Sequence, residues 1–241
     1  MRFLPMLALA AVLAATGCTD IRAVDEASED RREFPFTGER LVIDSGGADL
    51  RLVAGGGDAV EVERSLTGKA TVEGNASWSL DGDTLRLRVK CSGFVPDCGG
   101  RHIVRLPGGV AVEVRNDAPV RAVALSGDIT ATVRDSWLRV EDPGGALRLR
   151  AEFDVEVTGA RSAEVIARST DRGVSLTFAG PPSRVEARAA GAVEVALPGG
   201  PETYRVDASP GRAALRSDPA SARVVTAVAG AGHTALVRKG A

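Results

Sequence analysis

The chain has 241 residues, a formal net charge of −2 and 44% hydrophobic residues, enough apolar material for one sizeable core or two small ones. Near-neutral charge gives no sign of a nucleic-acid partner, which would need a basic face. Aromatic residues make up only 4%, 28 residues are glycine, and apart from Lys69, Lys90 and Lys239 the 30 basic residues are arginine; a core of Val, Leu and Ala suits repeated thin layers better than one thick centre.

The N-terminus reads as an export signal. Arg2 supplies a positive start, and Phe3 to Ala15 is an apolar run too short to span a bilayer as a permanent helix. Ala15, Thr16, Gly17 and Cys18 follow, and this stretch resembles the lipobox of bacterial lipoproteins. That resemblance implies cleavage between Gly17 and Cys18, a diacylglyceryl group on the Cys18 thiol, and a protein held on the extracytoplasmic face of the cell membrane. The family prefers Leu three positions before the cysteine, where this chain has Ala15. The competing reading is an ordinary secretory signal, which small residues at the cleavage point also suit. With no second apolar stretch of spanning length, lipid is the expected anchor, and two acyl chains hold where one is marginal. Residues 18–36 are polar and rich in acid, among them Asp20, Asp25, Glu26, Glu29, Asp30 and Glu33, and read as a flexible tether ahead of a folded domain over 37–241.

From Leu41 onward the hydrophobic period is two. In the clearest run Leu147, Leu149, Ala151, Phe153, Val155 and Val157 alternate with Arg148, Arg150, Glu152, Asp154 and Glu156, which is a strand with one buried and one wet face. Shorter alternations lie at 85–89, 110–114, 129–133, 174–178 and 193–197, with glycine-rich breaks between them. No stretch carries a helical stripe, so an all-β fold is expected. In the C-terminal half Gly173, Gly191, Gly211 and Gly230 recur at a spacing near twenty residues. Such a period predicts a β-solenoid of strand–turn–strand repeats, with an antiparallel sandwich as the alternative. Stacking consecutive repeats sets Val185 on Val206, but it also sets Arg184 on Arg205 and Glu186 on Asp207, and like charges directly opposed are unfavourable.

This pattern resembles the putative-adhesin family of unknown function, β-strand-repeat surface proteins whose actinobacterial members are often lipoproteins. The resemblance covers roughly residues 37 to 241. Ser45 to Leu50 and Ser126 to Ile129 come closest to the family's Ser-Gly-Ala-Gly-Asp turns, while Ala192, Arg212 and His233 occupy or neighbour the turn position where the family has Asp. The resemblance also implies a cysteine pair in mid-chain ahead of a Leu-Pro and glycine turn, here Cys91 and Cys98 followed by Leu106 to Gly109.

With Cys18 assigned to lipid, Cys91 and Cys98 remain as an even pair in an exported chain and read as a structural disulfide. A metal site would need more ligands than cluster there, and a redox pair a shorter spacing. Gly230 to Ala235 matches a dinucleotide-binding glycine pattern, but too little chain follows for the helix that such a loop requires. Gly55 to Asp58 is a single poor copy of a calcium-binding repeat and reads as a turn. His102 and His233 read as surface or turn residues, no pair of carboxylates stands out, and no catalytic, cofactor or metal residue is assigned. Trp78, Trp137 and Tyr204 are candidates for stacking on sugar rings, though core or rim positions are the commoner use of such residues. Arg184, Arg205 and Arg223 each precede the first valine of a repeat and could line one column facing an anionic wall polymer. The expected role is therefore non-enzymatic: surface binding or adhesion to a cell-wall polymer, or scaffolding. An envelope module partnering another protein ranks second, and an enzyme acting on polysaccharide third.

Overall fold

The computed structural model describes residues 27–90 and 97–240. They form twenty-one strands: β1 Ala27–Pro35, β2 Arg40–Gly46, β3 Asp49–Ala54, β4 Ala59–Gly68, β5 Ala76–Asp81, β6 Thr84–Val89, β7 Cys98–Leu106, β8 Ala111–Asn116, β9 Val120–Val123, β10 Ile129–Val133, β11 Leu138–Glu141, β12 Leu147–Ala151, β13 Val155–Ala160, β14 Glu164–Ser169, β15 Val174–Phe178, β16 Arg184–Ala189, β17 Val193–Leu197, β18 Arg205–Ser209, β19 Gly211–Ala214, β20 Val224–Val228 and β21 Ala235–Lys239. Among the described residues there is no α-helix, only a 3-10 turn at Lys69–Thr71. The expected all-β class is therefore present.

The strands make two large sheets of eleven and ten strands. From β8 onward, successive strands alternate between the sheets, and each pairs in parallel with strands of the same sheet. Ile129 pairs with Leu147, Leu147 with Val165 and Val165 with Val185, so one repeat unit takes 18 to 20 residues, the spacing seen in the glycines. Inward residues of both sheets, such as Leu147, Leu149 and Val165 from one and Leu138, Val155 and Leu176 from the other, belong to one continuous core. Antiparallel pairing is confined to β1 with β4, β4 with β7 and β5 with β6 at one end, so the regular hairpins of an antiparallel sandwich are not what builds the C-terminal half.

Polar side chains stitch neighbouring units at the corners. The Asp128 carboxylate accepts the Ala146 N–H at 2.8 Å, and Asp154 accepts that of Gly173 at 3.2 Å. Ser162 Oγ donates to the Gly145 carbonyl, and Asn116 Nδ2 donates to the carbonyls of Ala48 and Ala118. Each satisfies backbone groups that a corner would otherwise leave without partners.

The order of the last units differs from the order in sequence. β20 pairs with both β16 and β18, and β21 with both β17 and β19, so the final two strands are inserted between two earlier units. Val185 consequently stacks on Val225, not on Val206. Val224 separates Arg184 from Arg205, and Thr226 separates Glu186 from Asp207. The insertion removes the like-charge contacts that sequential stacking would have created. It demands close backbone approach: a Cβ on Gly230 would lie 1.9 Å from the Ala190 carbonyl oxygen, so only glycine fits there.

The folded part also begins earlier than residue 37. Ala27–Pro35, expected within the tether, is the edge strand β1. Phe34 and Phe36 bury their rings in the core, and Arg31 with Glu61 and Asp30 with Arg64 form ion pairs along the β1–β4 seam. The acidic character that suggested a tether is the wet face of an edge strand. Residues 1–26, where the export signal, Gly17 and Cys18 are expected to act, lie outside the described residues.

The inserted strand gives a charge test. Thr226→Asp, set between Glu186 and Asp207, should lower the unfolding free energy by about 1–2 kcal/mol, whereas Thr226→Lys should be neutral or stabilising. Urea unfolding of the two variants checks this; equal effects would contradict the strand order.

Candidate functional site

Among the described residues no three His, Cys, Asp or Glu side chains converge as metal ligands. The outward faces of the two sheets carry the features that can contact a ligand.

On the eleven-stranded sheet, β3, β7, β9 and β11 lie side by side. A cleft of about 290 Å³ opens over them, lined by Asp49, Arg51, Arg101, Ile103, Arg121 and Trp137 together with Leu50 and Pro119. The parallel register places Arg51 beside Ile103 on one side and Arg121 on the other, and Arg101 beside Asp49. Arg121 is tied to Glu141 at 2.7 Å, and its guanidinium holds the Glu141 carboxyl below the usual carboxylate range. Arg139 pairs with Glu156 at 2.7 Å and lies 5.3 Å from the Trp137 ring centroid, which helps fix the indole. Arg51 and Arg101 are exposed and make no ion pair among the described residues. The cleft therefore combines a half-buried indole, the apolar Ile103 and Pro119, and two guanidinium groups without an ion pair, against the lining carboxylate Asp49 and, for Arg51, the charge of Glu141. Guanidiniums offer planar, bidentate donation to carboxylate or phosphate, and an indole offers a flat face for a sugar ring.

On the ten-stranded sheet a second outward feature follows from register. Arg150 pairs with Arg168, and Arg168 with Arg188, so three exposed guanidiniums stand in one row on β12, β14 and β16.

The residues singled out from sequence fare differently. Arg184 and Arg205 flank Val224, and Arg223 falls outside that row. Arg184 is paired with Glu186 at 3.0 Å, and the Arg223 guanidinium donates to the carbonyls of Pro181 and Pro182. The three do not form one column, because the inserted strand parts the first two and Arg223 ties down a neighbouring loop. Trp137 lines the cleft. Trp78 is partly buried against the core with Arg64 at 4.2 Å over its ring, and Tyr204 is fully buried, which takes it out of reach of a sugar. Gly230 to Ala235 is a turn leading directly into β21, with no helix to receive a phosphate. Cys98 opens β7 and packs against the small cluster of Leu66, Ala70 and Val89, while Cys91 lies outside the described residues. His233 is an exposed turn residue, as its setting suggests.

His102 is a correction: it is wholly buried. It occupies the inward phase of β7 with Val104 and Leu106, opposite Arg64 of β4, and neither ring nitrogen has a hydrogen-bond partner. Burial, and secondarily the Arg64 charge, lower its pKa from 6.5 to about 4. Between these values the unfolded chain binds a proton that the folded chain refuses, so stability falls as pH drops through this window. The loss attributable to this residue between pH 7 and pH 5 should be about 2 kcal/mol. His102→Leu should flatten the urea midpoint against pH over that range; parallel curves for the two proteins would contradict the assignment.

No protein-family model matches the chain, and no curated protein matches it. Among solved structures it is similar to a "putative cell adhesion protein" of Clostridium sporogenes, with 12% identity, a TM-score of 0.37, and coverage of 89% of this chain and 100% of the other. It is similar to a "putative adhesin" of Bacteroides fragilis, with 12% identity, a TM-score of 0.42, and coverage of 88% and 97%. It is also similar to a "putative lipid binding protein" of Parabacteroides distasonis, with 14% identity, a TM-score of 0.28, and coverage of 88% and 97%.

Proposed function

We propose that this chain is a lipid-anchored, extracytoplasmic binding module without catalytic activity, built as a two-sheet β-solenoid, and that its cleft at Trp137 receives an acidic sugar. The observation that carries this reading is that Arg101 and Ile103 of β7, Arg51 of β3 and Trp137, the residue before β11, line one cleft. A pyranose ring against the indole would leave its carboxylate or phosphate within the arc of the unpaired arginines, and Asp49 would accept from ring hydroxyls. Alternation of parallel strands between two sheets supports the solenoid, since each unit covers the apolar edge of the next. The anchor rests on the lipobox-like stretch ending at Cys18, and a disulfide between Cys91 and Cys98 fits export to an oxidising compartment.

Titration with glucuronate, followed by isothermal calorimetry, tests the cleft. Trp137→Ala should abolish saturable binding, and Arg51→Gln or Arg101→Gln should each weaken it about tenfold, the scale of one charge-assisted hydrogen bond. Unchanged affinity in all three would remove the cleft as the site. Separately, Cys18→Ser should release the protein into the medium. Retention on the membrane would contradict the lipid anchor.

A further inference from the structure

The row formed by Arg150, Arg168 and Arg188 stands apart from the other charged rows. Adjacent strands lie about 4.8 Å apart, so these three cations recur at that step along the stack. Like charges in register on neighbouring strands repel, and elsewhere the protein relieves such contacts. Arg121 and Arg139, also neighbours in register, are neutralised by Glu141 and Glu156. Arg238 is paired with Glu194, and Arg88 with Asp44. Among the described residues Arg150, Arg168 and Arg188 have no such relief. The acids nearest in register are already engaged: Glu164 with Arg148, Glu186 with Arg184, and the Glu152 carboxylate with the backbone N–H of Asp135. The row continues through Thr132 of β10 to Arg115 of β8, roughly 19 Å from Arg188 at that strand spacing.

We infer that this row is a binding track for a linear acidic polysaccharide, lying along the stack axis across successive strands. On the same face the next row, one strand pleat away, holds Arg148, Ile166 and Glu186, and of these Arg148 is engaged by Glu164 at 3.8 Å. A membrane surface would need a two-dimensional basic patch, and a nucleic-acid duplex a broad basic face, whereas the row beside this one holds Ile166, Glu186 and an arginine already paired with Glu164. A linear chain with a carboxylate on each sugar matches a single file of guanidiniums, each able to take a carboxylate bidentately. This track lies on the opposite sheet from the Trp137 cleft and stands independently of it.

The test uses the full-length chain in detergent with polygalacturonate as the probe. Wild-type protein should bind at low salt, with neutral dextran and monomeric galacturonate failing to compete at matched sugar concentration. The triple change Arg150→Gln, Arg168→Gln, Arg188→Gln should weaken binding at least tenfold and reduce the slope of log affinity against log salt by about two to three. It should also raise the melting temperature through relief of repulsion, which shows that the fold persists. The corresponding Lys triple should retain binding within about threefold, and glucuronate at concentrations that fill the cleft should not displace the polymer, which separates this site from the cleft. Unchanged polymer binding in the Gln triple would overturn the proposal, as would tighter binding to duplex DNA or phosphatidylglycerol vesicles than to polygalacturonate.

Discussion

Parallel, in-register stacking is the constraint on which the rest of this molecule depends. When a strand lies beside the equivalent strand of the next unit, every side chain meets its own counterpart. Inside, this like-on-like rule is favourable: Leu138 meets Val155, Val155 meets Val174, and Val174 meets Val193, and the column of apolar side chains fills one continuous core. Outside, the same rule is costly, because an arginine repeated at one position of each unit must face another arginine.

The protein meets that cost in two ways. Acids placed one unit along neutralise the cation, as Glu156 does for Arg139. Alternatively the stacking order changes, as where β20 enters between β16 and β18 and sets Val224 and Thr226 between charges that would repel. Where neither device operates, the surface is left strongly charged, and those places are where a ligand can do what the protein itself does not. The unpaired Arg51 and Arg101 in the Trp137 cleft, and the file of Arg150, Arg168 and Arg188, are two such places. The stack thus turns a repetitive sequence into surfaces with periodic charge.

Much of the fold is legible in the sequence, because period-two alternation and near-twenty-residue glycine spacing are local signals. The run from Leu147 to Val157 shows its inward and outward faces directly. The order of the final units is not legible: no local pattern states that the strand at Val224 returns to sit beside the one at Arg184. The repulsion predicted for sequential stacking was the available clue, and Val224 and Thr226 answer it. Burial of His102 was readable in retrospect, since it shares the phase of Val104 and Leu106; its polar identity masked that phase. The edge strand β1 was hidden for a similar reason, as its outward acids and arginines resemble a solvated linker until Phe34 and Phe36 are seen to anchor it. The two surface sites draw on strands far apart in the chain, Asp49 to Trp137 for one and Arg150 to Arg188 for the other, so they exist only once register is known. Trp137 was visible as a candidate, but its arginine neighbours were not.

Amide hydrogen exchange tests the stacking order most directly, because protection reports whether a strand is paired on both sides or one. The inserted arrangement predicts that amides of Val224–Val228 and Ala235–Lys239 exchange more slowly than those of Arg205–Ser209 and Gly211–Ala214, which form the open end of both sheets. Faster exchange in the two C-terminal strands than in β18 and β19 would mean that the units stack in chain order, and would contradict the account.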